Sequence, residues 1–271
     1  MRFDGAQVTK PAIDPYREDI DVSTTLAGGK LWLSMPVIIR PPRTWDRELI
    51  RVVKFVARAN SVMVDLEGMD IVDNKHLMRV MWDTYIERLG ALVITNPQQV
   101  MPGVNVPTYV RITEAGEVSN AVNALVRKNN WFDGVIIDIN DDYPEAHLVR
   151  LDVELRRRGG IRDNVDLLIH MPSIRSSGGD IIKLVALGAD AVIISGFVER
   201  ALHGYEGIED FRLRFMKFLI GVKREIAQLL GAAGIYSLQS VVGNRELLRA
   251  LSGRVRDMLM VKLAGEDVLY R

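Results

Sequence analysis

The sequence of 271 residues contains no cysteine. This absence excludes disulfides, cysteine-ligated zinc, iron–sulfur clusters and thiol catalysis within the chain. It also fits a reducing compartment, and we therefore expect a cytoplasmic protein without an iron–sulfur cluster.

An excess of one charge and a long apolar run are also absent. The 35 basic side chains balance the 35 acidic ones, so the charge pattern of a nucleic-acid-binding protein is missing. No apolar run reaches the roughly 18 residues of a membrane helix. The polar residues 1–19 lack the apolar segment of a signal peptide. We expect neither nucleic acid nor membrane as a partner.

Short apolar runs rich in β-branched residues alternate with longer segments of helical periodicity. Repeated βα units of this kind predict a parallel sheet covered by helices on both faces. One strand beyond the clear candidates would complete a (β/α)8 TIM barrel, closed or incomplete, and a doubly wound open sheet is the alternative. The candidate strands lie at 36–39, 61–65, 91–95, 107–112, 134–138, 165–170 and 191–195.

The chain divides into three predicted parts. Residues 1–30 are polar and interrupted by proline and glycine, which indicates an N-terminal extension. Residues 31–230 contain the alternating βα units and form the predicted barrel domain. Residues 231–271 have helical periodicity, and we expect a C-terminal helical tail packed on the barrel.

In both predicted architectures, functional residues lie at the carboxyl ends of the strands. His170 ends a candidate strand and is either a general acid or base or a structural group. Asp138 ends another, and with Asp141 and Asp142 it could act as a base, bind a divalent cation or belong to a solvated acidic loop. The widely spaced histidines do not predict a metal site.

A Ser/Gly-rich turn at 174–179 leads into a predicted helix. Free backbone N–H groups and the positive end of the helix dipole favour an anion at such a position. Arg175 could add a bidentate contact beside Gly178 and Gly179. The pattern therefore predicts either a phosphate site or an ordinary helix cap.

The stretch 161–192 resembles the FMN-binding barrel of the glutamate synthase large subunit. Residues 20–39 resemble the approach to that barrel's first strand, and residues 225–248 resemble the segment after its last strand. The resemblance covers most of the chain from about residue 17 to 250. The matching residues include Ile161-Arg162-Asp163-Asn164-Val165-Asp166-Leu167, Ile174-Arg175, Asp180 to Lys183 and Ala186-Leu187-Gly188-Ala189-Asp190-Ala191-Val192.

This resemblance implies an FMN-dependent oxidoreductase of glutamate or nitrogen metabolism. It places the FMN phosphate near the Ser/Gly-rich turn and the end of the last strand, and it aligns Arg111 with a lysine that contacts the flavin. The implied cofactor-binding residues are Arg175, Gly178, Gly179, Ser195, Gly196 and Arg111.

Several family glycines near the flavin are missing. Arg40-Pro41-Pro42-Arg43 follows the first strand, and Pro172, which has no N–H to donate, stands near the phosphate position. A degenerate, non-catalytic barrel is therefore a second hypothesis. It would be a structural or regulatory partner of a catalytic homologue, a homo-oligomer, or a protein that binds another small phosphorylated ligand. A third is another enzyme class on the same barrel, such as an aldolase or isomerase.

Overall fold

A computed structural model describes residues 1–4, 11–66, 91–94, 106–126, 132–172 and 178–266 of the chain. Its strands, in chain order, are β1 (Arg2–Phe3), β2 (Thr24–Leu26), β3 (Leu31–Leu33), β4 (Val37–Ile39), β5 (Met63–Val64), β6 (Leu92–Ile94), β7 (Thr108–Ile112), β8 (Gly134–Ile137), β9 (Asp166–His170), β10 (Ala191–Ile194), β11 (Leu248–Ala250) and β12 (Lys262–Leu263). Its α-helices are α1 (Arg47–Ala59), α2 (Glu117–Val126), α3 (Pro144–Arg157), α4 (Gly178–Leu187), α5 (Gly196–Ala201), α6 (Ile208–Ala232) and α7 (Gly253–Leu259).

Among the described residues, the central sheet has seven parallel strands in the order β5-β4-β10-β9-β8-β7-β6. Its first strand in the chain, β4, pairs with its last, β10, so the sheet curls into a ring. Within the described ranges, β5 and β6 are the edges of that ring, and the segment 67–90 between them in the chain lies outside the described residues. This is an incomplete TIM barrel. The barrel prediction is confirmed, and the doubly wound alternative is wrong because β4 and β10 pair.

Alternation along the strands divides the apolar side chains between two cores. Side chains of successive strand residues point to opposite faces. Ile38, Ile136 and Ile193 belong to the core inside the barrel, whereas their strand neighbours, such as Val37 and Ile137, pack in the larger core that includes the helices. Both faces are covered, which explains why β4, β8 and β10 are buried at every position.

The hairpin formed by β2 and β3 covers the amino-terminal end of the barrel. Leu26 and Leu33 belong to the interior core, and the Ala27 N–H donates to the Asp166 carboxylate at 2.6 Å. Tyr109 donates its hydroxyl to the same carboxylate at 2.6 Å. The region 1–30 thus contributes β2 to this hairpin. The hairpin closes the barrel at its amino-terminal end, opposite the candidate site.

The C-terminal segment differs from the helical prediction. It contains α7, but β11 pairs antiparallel with β1 and parallel with β12. The partner of β11 is the start of the chain, so local periodicity could not indicate this pairing.

No helix in the described ranges is long and apolar enough to cross a membrane.

Candidate functional site

The carboxyl ends of the parallel strands form the mouth of the barrel, where polar side chains from six different strands meet. We call this set the mouth network. It consists of Arg40 after β4, Asp65 after β5, Arg111 on β7, Asp138 after β8, His170 at the end of β9 and Ser195 after β10.

Asp65 binds both arginines of the mouth network. Arg40 donates from Nε and Nη2 to Asp65 Oδ2 at 2.9 and 2.7 Å. Arg111 donates from Nη2 to Asp65 Oδ1 and Oδ2 at 3.2 and 3.0 Å. The carboxylate of Asp65 therefore lies between the two guanidinium groups.

Asp138 binds the same arginines and a histidine. Arg40 Nη1 donates to Asp138 Oδ2 at 2.9 Å, and Arg111 Nη1 donates to the same oxygen at 3.3 Å. His170 Nδ1 lies 2.6 Å from Asp138 Oδ1. The two arginines and two aspartates balance in charge. The Arg111 side chain is only 2% exposed, so these charges are held away from water.

The Arg40 guanidinium links strands that are not neighbours in the sheet. Arg40 lies beyond β4, and its partner Asp138 lies beyond β8, with β10 and β9 between those strands. Arg111 on β7 reaches Asp65 beyond β5, on the side of the ring where β5 and β6 are the edges. The two arginines therefore connect carboxylates that belong to different parts of the mouth.

The surroundings of Asp138 favour its ionised form. Burial alone would raise the pKa of Asp138, but its hydrogen bond with His170 and the charges of His170 and Arg40 outweigh that effect and hold the pKa at about 2. Burial lowers the pKa of Arg111 below its ordinary value, and Asp65 opposes this shift. The carboxylate of Asp138 therefore stays charged at neutral pH.

His170 links Asp138 to Ser195. Its Nε2 lies 2.9 Å from Ser195 Oγ. Because Asp138 is ionised, a proton on Nδ1 is needed to make the 2.6 Å contact with Oδ1 favourable. We therefore place a proton on Nδ1, and Ser195 Oγ lies within hydrogen-bond distance of the other ring nitrogen, Nε2. Arg40 Nη1 also lies 2.9 Å from Nδ1, but it has Asp138 Oδ2 as its acceptor.

The mouth network brings together candidates that the sequence analysis assigned to separate roles. His170 and Asp138 were predicted as catalytic, and Arg111 and Ser195 as cofactor-binding; the structure places all of them in one hydrogen-bonded set. Arg40 and Asp65 were not among the predicted site residues. Arg40 directly follows one predicted strand and Asp65 ends another, and those positions were the available signal.

The described glycines near the predicted phosphate position are closely packed. Arg175 lies outside the described residues. A Cβ on Gly178, in the first turn of α4 with Gly179, would lie 3.0 to 3.1 Å from carbon atoms of Glu225. A Cβ on Gly196 would lie 2.6 Å from the Pro172 carbonyl oxygen. The chain thus packs closely against the Cα atoms of Gly178 and Gly196.

Asp141 lies apart from Asp138, in an exposed turn. It accepts the Tyr143 N–H at 3.0 Å and lies 2.6 Å from His147 Nε2. In the described ranges, no group of three or more acidic or histidine side chains could hold a metal ion. Asp138 therefore belongs to the mouth network and not to an acidic cation site with its sequence neighbours.

The low pKa of Asp138 predicts how stability depends on pH. The folded-state pKa of about 2 lies below the ordinary value of 3.8, so this carboxylate stabilises the fold above about pH 4. That contribution is lost as the pH falls from about 4 to about 2. The free energy of unfolding, measured across this pH range, should fall less for Asp138→Asn than for the natural chain. The matched control Asp142→Asn, at an exposed position, should keep the natural profile; an identical profile for Asp138→Asn would contradict the prediction.

The comparison with curated proteins confirms the resemblance to glutamate synthase. The chain is 35% identical over 148 residues to the archaeal glutamate synthase [NADPH] of Methanocaldococcus jannaschii, covering 45% of the chain and 28% of that protein. It is 32% identical over 200 residues to the archaeal-type glutamate synthase [NADPH] of Dehalococcoides mccartyi, covering 59% of the chain and 39% of that protein. The chain thus spans well under half of either relative. No protein-family model matches it.

Solved structures of mandelate oxidase share the fold. A mandelate oxidase variant with the monooxide FMN adduct superposes with a TM-score of 0.61 at 18% identity, covering 90% of this chain and 86% of that one. Mandelate oxidase with benzoyl-formic acid gives a TM-score of 0.61 at 16% identity, with 90% and 84% coverage. At this identity the likeness establishes the barrel architecture.

The resemblance implies FMN, and the described residues of the mouth depart from the family's flavin site. Arg40 stands where the family has a glycine-containing turn against the flavin, and Arg40 and Arg111 are both bound to Asp65 and Asp138. A flavin would also need a cation turned toward the ring and glycines that let backbone approach the phosphate. Arg111 is instead held by the carboxylates of Asp138 and Asp65.

Proposed function

We propose that this chain is a flavin-independent barrel protein related to glutamate synthase. Its mouth would serve acid–base chemistry in place of flavin chemistry. The observation that carries the proposal is the position of Arg40, whose guanidinium reaches across the mouth from β4 to Asp138. A second cation, Arg111, lies against the same carboxylate, so the two side chains support one another.

Opening this mouth for a flavin would be unfavourable. Moving Arg40 or Arg111 aside would leave Asp65 and Asp138 as poorly compensated carboxylates in a largely buried site. Breaking a buried ion pair typically costs about 3–5 kcal/mol. Flavin binding would have to exceed that cost before any affinity became measurable.

A second candidate is an FMN-dependent oxidoreductase of glutamate or nitrogen metabolism. One observation favours it: the relatives at 32% and 35% identity are named as glutamate synthases. In that case the chain would need electrons from another subunit, since it has no cysteine to hold an iron–sulfur cluster. A structural role beside a catalytic homologue, or as a homo-oligomer, stays a prediction that light scattering with each candidate partner would test.

A titration of the purified chain with FMN distinguishes the two candidate functions. We expect the protein to be colourless, to leave FMN fluorescence unchanged, and to retain no visible flavin absorbance after dialysis. A bound ligand at 100 times its dissociation constant would stabilise the fold by about 2.7 kcal/mol, and we expect no such shift in the unfolding midpoint. Stoichiometric FMN binding would overturn the flavin-independent proposal and favour the oxidoreductase.

A double variant tests whether Arg40 prevents FMN from binding. The double variant Arg40→Ala with Asp65→Ala removes one cation and one anion from the mouth, so its charge stays balanced. If Arg40 blocks the flavin, this variant should bind FMN measurably under conditions in which the natural chain does not. No FMN binding by a folded double variant would contradict the idea that Arg40 is the residue that excludes the flavin.

A further inference from the structure

Ser195, His170 and Asp138 form a continuous hydrogen-bonded chain at the barrel mouth. We propose that Ser195 is a nucleophile, activated by His170, that transfers the acyl group of a carboxylic ester to water. This inference rests on the proposed flavin-independent function, because a flavin at the mouth would compete with a substrate for the same space. The proposed substrate class is a small carboxylic ester, since Ser195 is half-buried.

The geometry matches what an activated serine requires. The serine hydroxyl must lie within hydrogen-bond reach of a base, and that base must be oriented by a third group. Ser195 Oγ lies 2.9 Å from His170 Nε2, and Asp138 Oδ1 lies 2.6 Å from Nδ1. The three residues come from the ends of β10, β9 and β8, which are adjacent in the sheet.

Ordinary helix capping does not explain the contact between Ser195 and His170. Ser195 is the N-cap residue of α5, where a serine hydroxyl usually accepts a backbone N–H of the first turn. Its side chain makes no such capping bond. The hydroxyl instead points to His170, so the strand-to-helix turn presents it to the mouth.

The surroundings hold the His170 ring in a fixed orientation. Asp138 is ionised at neutral pH, and its second oxygen, Oδ2, accepts from Arg40 and Arg111. The carboxylate is therefore fixed in orientation, and it fixes the His170 ring through Nδ1. The turn at Ser195 is also constrained, because Gly196 approaches the Pro172 carbonyl so closely that no Cβ would fit there.

The proposed reaction balances with water as the co-reactant. Ser195 Oγ forms a bond to the acyl carbon while its proton moves to His170 Nε2. The ester C–O bond then breaks, and the alcohol leaves with the proton from Nε2. Water attacks the acyl-serine and gives a proton to Nε2, and that proton returns to Oγ as the carboxylic acid departs. The sum is ester plus water giving acid plus alcohol.

The test uses the full chain with two probes. p-Nitrophenyl acetate reports ester hydrolysis, and a fluorophosphonate labels activated serines covalently. We expect labelling on the peptide that contains Ser195 and hydrolysis above the rate without protein. Ser195→Ala should lower the protein-dependent rate at least about 100-fold and abolish labelling. His170→Gln should slow labelling about 100-fold or more, since it removes the general base.

A control and the flavin titration separate the possible outcomes. Ser240→Ala removes an exposed hydroxyl outside the mouth and should leave both rates unchanged. Equal hydrolysis by the natural chain and Ser195→Ala, with matching unfolding midpoints, would overturn the inference, as would labelling at another serine. Because FMN binding is measured on the same preparation, a chain that binds FMN but still labels at Ser195 would contradict only the proposed function. A chain that neither binds FMN nor labels would contradict only this inference.

Discussion

Replacing Asp65 with alanine should lower the free energy of unfolding by about 3–5 kcal/mol, because the change leaves buried cations without their shared anion. Arg40 and Arg111 both donate to this carboxylate, and its side chain is only 9% exposed. Without it, the two guanidinium groups would face one another with Asp138 as the anion that remains between them. Chemical denaturation monitored by circular dichroism measures the loss.

A double variant isolates the electrostatic cause of that loss. Asp65→Ala combined with Arg40→Met removes one charge of each sign and keeps an apolar side chain of similar length at position 40. We expect it to recover at least about 1 kcal/mol relative to Asp65→Ala, because removing both partners of a buried pair costs less than removing one. A loss below about 1 kcal/mol for Asp65→Ala alone would contradict the ion-pair account of the mouth.

The sequence was sufficient to predict the barrel and several residues of its mouth. Nearly continuous apolar runs indicate strands buried on both faces, and their carboxyl ends locate Asp138 and His170. The sequence could not show that these side chains meet Arg40 and Arg111, because the meeting depends on closure of the sheet between β4 and β10. Pairing between distant segments leaves no local pattern.

The turn after β4 lacks the glycines of the related barrels, and in the structure its first residue, Arg40, makes contacts of its own. In the sequence, Arg40 to Arg43 stand where the related barrels have glycines near the flavin, so the segment indicates only a missing site. In the structure, Arg40 donates to Asp65 and Asp138 and helps to build a different site. The residue that departs from the family motif at this turn therefore takes part in the mouth network.

The residues that best match the glutamate synthase pattern serve the scaffold. Arg162 donates to Asp152 at 2.8 Å and to the carbonyl oxygens of Val165 and Gly188. Asp190 accepts the Leu167 N–H at 2.7 Å. These contacts join β9 to the turn before β10 inside the protein. The match in this stretch therefore indicates shared architecture, and it carries less information about the chemistry of the mouth.

Gly188 shows why that stretch tolerates little change. Its φ of +123° is a backbone conformation that side chains rarely adopt, and a Cβ there would lie 2.8 Å from the carboxyl carbon of Asp152. The glycine thus lets the turn after α4 pack directly on the side chain of Asp152. Asp152 is fully buried and lies at the centre of this structural cluster.

Replacing Asp152 with alanine should accordingly cost about 3–5 kcal/mol of unfolding free energy, or prevent folding. Asp152 accepts from Arg156 Nε at 3.1 Å, from Arg162 Nε at 2.8 Å, and from Arg245. Arg162 is itself buried, so it would keep Asp190 as an ion-pair partner but lose the anion on its other side. The contact with Arg245 also joins the C-terminal segment to α3, and its loss should loosen that segment.

The neighbouring acidic residue on α3 gives the matched control. Glu154 forms ion pairs with Arg157 and Arg158 at 3.7 and 3.8 Å, and all three side chains are well exposed. Exposed pairs contribute about 0–1 kcal/mol, so Glu154→Ala should change stability by less than about 1 kcal/mol. Hydrogen exchange should show faster opening of the C-terminal segment in Asp152→Ala but not in Glu154→Ala. Equal effects of the two substitutions would mean that Asp152 is not the anion that holds this segment to the barrel.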